Sequence, residues 1–336
     1  MSDKVRIGIN GLGRIGRTIL RELYNRNVQD LEIVAVNNLG DPENLAYLLK
    51  YDSLHGIHPG QISYSENSLE ISGRKIPFSN CSDPAEIPWE KREVDIVIDA
   101  TGVFQDKQSL GKHLRGSVKH VILCAPGKDV DGTFVMGINN TDFDPSRHKI
   151  VSNASCTTNC LTPLIKVIDN EWGVENGFMT TVHSYTSDQR LLDSLHSDWR
   201  RSRSAALSMI PTTTGAARAV GLVLPEMKGK LDGIAIRVPT ANVSVVDLVV
   251  NLKKNTDKKD VNAAMKEAAG GELKGILSYT EEPLVSQDFR GNRASSIFDA
   301  PLTNVINRGL KVVSWYDNEV GFSNRVIDLA LYMGGK

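Results

Sequence analysis

A short apolar run, Val5–Asn10, ends in Gly11-Leu-Gly13-Arg-Ile-Gly16, and a helical pattern begins at once over residues 15–24. Few folds accept a strand that passes through glycines straight into a helix. The first glycine permits the tight turn, the second lets backbone approach a ligand closely, and the third lets helix and strand pack together. The helix N-terminus then faces that ligand with free N–H groups and the positive end of its dipole. With a strand before it and a helix after it, the motif reads as a pyrophosphate-binding turn; the other reading is a merely tight strand–helix turn.

The pattern continues in kind. Residues 32–37, 95–100, 120–124 and 134–138 are further strand candidates, and Pro42–Lys50 carries helical spacing. Strands with little polar alternation, separated by helices, argue for a parallel sheet covered on both faces. The expected fold is α/β, a Rossmann-type doubly wound sheet with right-handed crossovers. A chain of 336 residues has room for two domains. The second half is β-rich, at 177–184, 233–238, Ser244–Leu252 and 311–315, with a helix candidate at 261–269 and another at 323–333. It reads as an α+β domain with a mostly antiparallel sheet. Residues 183–214 have weak strand character and are rich in Ser, Arg and Asp, and so long an irregular stretch is usually functional or disordered. The expected division is a dinucleotide-binding domain over 1–151 and a catalytic domain over 152–319.

Charge excludes some roles. Lys and Arg number 39 against 40 Asp and Glu, so no global field draws the chain to nucleic acid or anionic membrane. No apolar stretch is long enough to span a bilayer. Met1-Ser-Asp-Lys runs directly into a strand, without the apolar region of a signal peptide. Cys81, Cys124, Cys156 and Cys160 make neither a disulfide framework nor a Cys/His zinc cluster. A reducing, cytoplasmic location is expected.

The chemistry centres on Ser152-Asn-Ala-Ser-Cys-Thr-Thr-Asn159. Cys156 sits where a strand-like run, 149–152, gives way to a helical pattern. A thiol at a helix N-terminus is expected to have a lowered pKa, and the thiolate is the nucleophile. Neighbouring hydroxyl and N–H groups suit an oxyanion or phosphate. The competing reading is a buried structural cysteine. A thiol needs a base, and His183 ends a β-run 27 residues later. The other histidines, 55, 58, 113, 120, 148 and 196, read as residues of polar or loop-like surroundings. Arg200-Arg-Ser-Arg203, Pro211-Thr-Thr-Thr-Gly215 and Arg237-Val-Pro-Thr240 offer guanidinium forks and small donors suited to phosphate, or else solvated charge and turns. The acid expected about 20 residues beyond the glycines, to hold a ribose 2′-hydroxyl, is replaced by Asn37-Asn38-Leu39-Gly40. A neutral amide removes the repulsion that excludes a 2′-phosphate, so the preference is expected to be relaxed or to lean toward NADP. Alternatively, Asn38 still bonds the hydroxyl and NAD is retained.

Taken together, Asn10-Gly-Leu-Gly-Arg-Ile-Gly-Arg17, Ser152 to Cys160, His183-Ser-Tyr-Thr186, Pro211 to Ala217, Arg237-Val-Pro-Thr240 and Ser314-Trp-Tyr-Asp-Asn-Glu319 closely resemble glyceraldehyde-3-phosphate dehydrogenase of the phosphorylating type, nearly end to end. The resemblance implies oxidation of glyceraldehyde 3-phosphate to 1,3-bisphosphoglycerate in glycolysis or gluconeogenesis. Cys156 would form a hemithioacetal and then a thioester, with His183 as base and hydride passing to NAD(P). Substrate phosphate would meet Thr186 and Arg237. Inorganic phosphate would meet Ser155, Thr157, Thr214 and Gly215, with Arg201 nearby. Gly11, Gly13, Arg14, Ile15, Gly16 and Asn38 would hold the cofactor, with Arg14 and Ile15 at the pyrophosphate and Asn318 at the nicotinamide carboxamide. No metal is implied.

The resemblance further implies a homotetramer, an S-shaped loop over about 185–208 approaching a neighbour's cofactor, and a C-terminal helix, 320–336, packed back on the first domain. Three departures, Asn38, Leu195 and Ser82, all concern the adenosine end of the cofactor. The nearest rival is erythrose-4-phosphate dehydrogenase, against which Tyr185-Thr186 and residues 214–217 argue. A rival of another class is a binding protein on the same scaffold, with an RNA or protein partner.

Overall fold

The computed structural model describes residues 4–336, which form two compact units. The first takes the chain through Phe134, then Asn140–Ala154 and Ser323–Lys336. Its nine-stranded sheet runs in the order Gly132–Thr133, Ile150–Ser152, His120–Leu123, Ile96–Asp99, Val5–Asn10, Leu31–Asn37, Arg74–Ser79, Ser68–Ile71, Ile62–Ser65. The first seven strands are parallel. Val5–Asn10 is central because the chain leaves it to one side for Leu31–Asn37 and later returns to the other side with Ile96–Asp99. The crevice beyond the carboxyl ends of these strands is the topological switch point, where ligands bind in such sheets. Buried side chains on both sheet faces, among them Ile7, Ile9, Val36, Val97 and Ile98, explain the near-continuous apolar runs.

Two features differ from expectation in this unit. Residues 134–138 form no strand. Gly137 takes a left-handed conformation (φ 79°) and Ile138 N–H closes a turn on the Val135 carbonyl, so the apolar side chains of Phe134 and Val135 serve packing instead. The sheet also extends into an antiparallel meander over Ile62–Ser65, Ser68–Ile71 and Arg74–Ser79. Its second turn uses Ser72 (φ 51°) and Gly73 (φ 80°), a two-residue reversal of the kind that matches strand twist.

The second unit comprises Val135–Asn139 and Ser155–Phe322, so the division falls after Ala154 and not at 151, and the Val320–Gly334 helix contributes residues to both units. Within the first unit, that helix is tied by Arg26 Nη2 to Asp328 Oδ1 (2.7 Å) and by Asn324 Nδ2 to Glu22 Oε2 (3.0 Å).

The second unit's sheet is mixed. Its order is Ile210–Thr213, Leu231–Val238, Val174–Ser184, Ser244–Leu252, Gly309–Tyr316, Ser296–Asp299, Leu277–Thr280. Antiparallel pairs predominate, but Val174–Ser184 runs parallel to Leu231–Val238, and Leu277–Thr280 to Ser296–Asp299. The helices Cys156–Trp172, Ala216–Val223 and Lys258–Gly270 supply the core together with Val246, Leu248, Val250 and Val312. On Val174–Ser184 the alternation puts Met179, Thr181 and His183 into the buried side, while Phe178 is exposed.

Candidate active site

Strand period and helix start together create the reacting pair. His183 is the last inward residue of its strand, and Cys156 is the first residue of its helix. Ser155 is the N-cap: its Oγ accepts from the Thr158 N–H (3.0 Å). The Cys156 sulfur then lies 3.5 Å from His183 Nε2. On the far side of the ring, Nδ1 stands 2.7 Å from the Ser184 carbonyl. The carbonyl accepts only and is the shorter of two contacts at Nδ1, the other being the Arg237 guanidinium at 3.0 Å, so it favours the tautomer with the proton on Nδ1 and the Nε2 lone pair toward sulfur.

The parallel register pairs His183 with Arg237. Arg237 Nη1 lies 3.0 Å from His183 Nδ1, donates to the Ser184 carbonyl (3.1 Å), and reaches Thr186 Oγ1 (3.4 Å). Its Nε is buried and makes no hydrogen bond. A buried guanidinium N–H without a partner is a costly vacancy, and an anion satisfies it. Burial, then the charges of Arg237 and Arg201, hold the His183 imidazolium off, lowering its pKa to about 3. Burial also pushes the Cys156 thiol up; the Arg237 charge, the Thr157 hydroxyl and the N–H groups of Thr157 and Cys156 pull it down without winning. Desolvation is thus the largest influence on the thiol, and it opposes the lowering expected from the helix terminus.

Tyr316 stands behind the pair, and the sequence reading assigned it no role. Its hydroxyl joins Thr157 Oγ1 (2.8 Å) to Thr181 Oγ1 (2.9 Å), and its ring meets His183 edge-on. The only signal was its place in the Ser314-to-Glu319 run. The Thr157 hydroxyl is therefore engaged by Tyr316 as well as facing the Cys156 sulfur, toward which its N–H also points. Arg201 is spent on Asp188 (2.7 Å), Thr212 Oγ1 (2.9 Å) and the Thr213 carbonyl (3.2 Å). Thr214 Oγ1 accepts from Ala216 N–H, while exposed Gly215 caps the Ala216–Val223 helix without a side-chain partner. Thr158 Oγ1, at 3.4 Å from the Ala216 carbonyl, ties the starts of these two helices together. Asn318 Oδ1 accepts from Ser184 Oγ (2.8 Å) and Ser244 Oγ (3.1 Å), which fixes the amide and turns Nδ2 outward from them.

In the first unit, the glycines divide their work. Gly11 has φ 90°, and a Cβ there would meet Thr101 backbone at 2.7 Å; a Cβ on Gly16 would strike the Gly11 carbonyl. A Cβ on Gly13 meets no protein atom, so its open face borders a cavity of about 290 Å³ lined by Asn10, Asn37, Asn38, Leu39, Cys81, Ser82, Thr101 and others. The Arg14–Arg26 helix has no side-chain N-cap, leaving first-turn N–H groups for a ligand. These features fit a dinucleotide. The Arg14 side chain, however, is clamped on Asp52 (2.6 and 3.2 Å), so only the Arg14 and Ile15 backbone is suited to a pyrophosphate. Asn38 Oδ1 accepts from Leu12 N–H (2.7 Å) and Nδ2 donates to the Leu39 carbonyl (2.6 Å). The amide braces the glycine turn and brings no charge. His113, read as a residue of polar surroundings, is instead fully buried, as are His58 and His120 nearly so.

Among the described residues no helix is long and apolar enough to cross a membrane, and no cluster of His, Cys, Asp and Glu suits a metal. Residues 5–107 match the family model for the glyceraldehyde 3-phosphate dehydrogenase NAD binding domain, and residues 155–318 match that of the C-terminal domain. The chain is 55% identical over 332 residues to glyceraldehyde-3-phosphate dehydrogenase 1 of Bacillus cereus, covering 98% of this chain and 99% of that one. It is 54% identical over 333 residues to glyceraldehyde-3-phosphate dehydrogenase of Geobacillus stearothermophilus, covering 99% of each. With both domain models matched and identity sustained end to end, the chain belongs to the glyceraldehyde-3-phosphate dehydrogenase family of oxidoreductases.

Proposed function

We propose that the protein oxidises glyceraldehyde 3-phosphate with inorganic phosphate to 1,3-bisphosphoglycerate, using NAD or NADP. The observation that carries this is the Cys156 sulfur at 3.5 Å from a His183 whose other nitrogen is committed to the Ser184 carbonyl. His183 Nε2 takes the thiol proton as sulfur bonds to the aldehyde carbon and the carbonyl π bond opens, then returns that proton to the oxygen to give a hemithioacetal. His183, deprotonated again, accepts the hydroxyl proton as the carbon–hydrogen bond gives up its electron pair. The nicotinamide, when bound, supplies the hydride acceptor. The thioester left on Cys156 is attacked by a phosphate oxygen; the carbon–sulfur bond breaks and the thiolate leaves with the acyl phosphate released. Covalent capture divides a hard reaction into two easier ones.

Two anions must be held. The buried, partnerless Nε of Arg237, beside Thr186, suits the substrate phosphate. Ser155, Thr157 and the Thr214-Gly215 turn suit inorganic phosphate, with Arg201 contributing field and order to the turn. Gly11, Gly13 and Gly16, the backbone of Arg14 and Ile15, and Asn38 suit the cofactor, and Asn318 its carboxamide. Phe178, Ile234 and Val249 on the sheet, with Leu191, Leu195, Trp199 and Leu207 in the long loop, are large apolar side chains left exposed, which supports a homotetramer. Rapid mixing without phosphate tests the mechanism. A burst of reduced cofactor stoichiometric with Cys156, turning over only when phosphate is added and absent in Cys156→Ser, is expected. Steady phosphate-independent turnover, or a burst surviving the substitution, refutes it.

A further inference from the structure

A directional chain of hydrogen bonds runs through the interior of the first unit to the wall of the nucleotide cavity. It begins at Trp89, fully buried, whose indole N–H donates to His113 Nδ1 (3.0 Å). An indole nitrogen cannot accept, so Nδ1 is the acceptor and the His113 proton sits on Nε2. That nitrogen lies 3.3 Å from Asp99 Oδ2. Asp99, also fully buried, takes a second bond at Oδ2 from Asn10 Nδ2 (2.9 Å), and at Oδ1 bonds from the Thr101 hydroxyl (2.7 Å) and N–H (3.1 Å). Because Asn10 spends its amide N–H on Asp99, its oxygen is turned to accept from Asn37 Nδ2 (2.9 Å). Asn37 Oδ1 then accepts from Cys81 N–H (2.9 Å) and Ser79 Oγ (2.9 Å). Trp89 sets the His113 tautomer, and Asp99, an acceptor only, sets the amide orientations of Asn10 and then Asn37; Asn10, Asn37, Cys81 and Thr101 all line the cavity.

We infer that His113 is a positioning residue for the cofactor site, holding Asp99 and through it the orientation of Asn10 and Asn37. This rests on the reading that the cavity takes the adenosine half of NAD(P). His113 itself does not line the cavity. Its work is to bring one more N–H to a buried carboxylate already held by Asn10 and Thr101, and so to fix where Oδ2 points. A protonated ring would present N–H to the Trp89 N–H, so the chain operates with one tautomer. An apolar residue at 113 leaves Asp99 short of a donor and Trp89 without an acceptor; glutamine supplies both an acceptor and a donor on one side chain.

The test compares His113→Phe, His113→Gln, Trp89→Phe and Gly13→Val in the full-length protein, by direct titration with NAD and by steady-state kinetics. His113→Phe should raise the cofactor dissociation constant about five- to tenfold, the effect of one lost hydrogen bond. The kcat and the aldehyde KM should stay within about twofold, since nothing in the Cys156–His183 pair changes. His113→Gln should return most of the affinity, and Trp89→Phe, which frees the tautomer, should weaken cofactor binding about threefold. Unchanged cofactor affinity in folded His113→Phe, glutamine no better than phenylalanine, or a parallel change in every constant overturns the inference. If His113→Phe does not fold, unchanged affinity in Trp89→Phe overturns it. Gly13→Val fills the open face and should abolish cofactor binding. Full affinity there would instead remove the cavity reading itself, whatever the His113 variants do.

Discussion

Arg237 Nη1 lies 3.0 Å from Nδ1 of His183, on strands that pair these two residues in register. The guanidinium makes an imidazolium expensive at that spot, so His183 is held ready as a neutral base while the same cation offers its unpartnered Nε to an anion. On the proposed reading, one arginine couples substrate charge to the protonation of the base.

Replacing His183 by asparagine removes the base and leaves Cys156 with its burial. The kcat should fall by about 10²- to 10⁴-fold, the usual worth of general acid–base catalysis. Cofactor affinity should be unchanged. Iodoacetamide labelling of Cys156 should move to higher pH, because a raised thiol loses its proton acceptor. Labelling rates across pH for both proteins check this.

Arg237→Met should raise the KM for glyceraldehyde 3-phosphate by about 10- to 100-fold, from loss of a charged hydrogen bond of about 1.5–3 kcal/mol. It should also let the His183 pKa rise, since the second cause of its depression is gone. The acid limb of the kcat profile then moves upward in pH. Arg237→Lys keeps the charge but loses the fork, and should recover the pH profile more fully than the KM.

Asp52 carries a stability prediction. Burial alone would push its carboxyl up, but the Arg14 hydrogen bonds and the N–H groups of His55 and Leu54 bring it down from 3.8 to about 2. A depressed folded pKa means the unfolded chain binds the proton first. The stabilisation, about 2 kcal/mol, is present above pH about 4 and lost as pH falls toward about 2. Asp52→Asn should lower neutral-pH stability by about that amount and flatten acid unfolding between those values, as read from denaturant melts over pH.

The preference expected at the cofactor's adenosine end turns on the missing charge at Asn38. Efficiency with NAD and NADP should differ by less than about a hundredfold, or roughly 2.7 kcal/mol. Asn38→Asp preserves an acceptor for the Leu12 N–H while adding an anion, and should cut NADP efficiency by more than about tenfold with NAD maintained or improved. Paired kcat/KM measurements decide it; unchanged NADP use in the aspartate variant refutes the charge argument.

Much of the plan was readable in the linear order of residues. The glycine turn, the parallel core strands and Cys156 at a helix start are local facts, set by backbone freedom and side-chain period within a few residues. The Ile62–Ser79 meander escaped notice because its strands are short and its turn signal, Ser72-Gly73, is modest. Residues 134–138 looked like a strand because apolarity alone does not report the left-handed Gly137 that bends the chain. What only tertiary structure decided was the pairing of groups far apart in sequence and the solvent each one sees. The register of Val174–Ser184 against Leu231–Val238 sets Arg237 beside His183; Tyr316 crosses from a distant strand to take the Thr157 hydroxyl; Asp52 captures the Arg14 charge; and Trp89 dictates the tautomer of His113. Sequence announces which side chains can donate, accept or ionise. Desolvation and long-range partners decide which of them do, and that is why a thiol at a helix start, expected to be acidic, is pushed the other way by its burial.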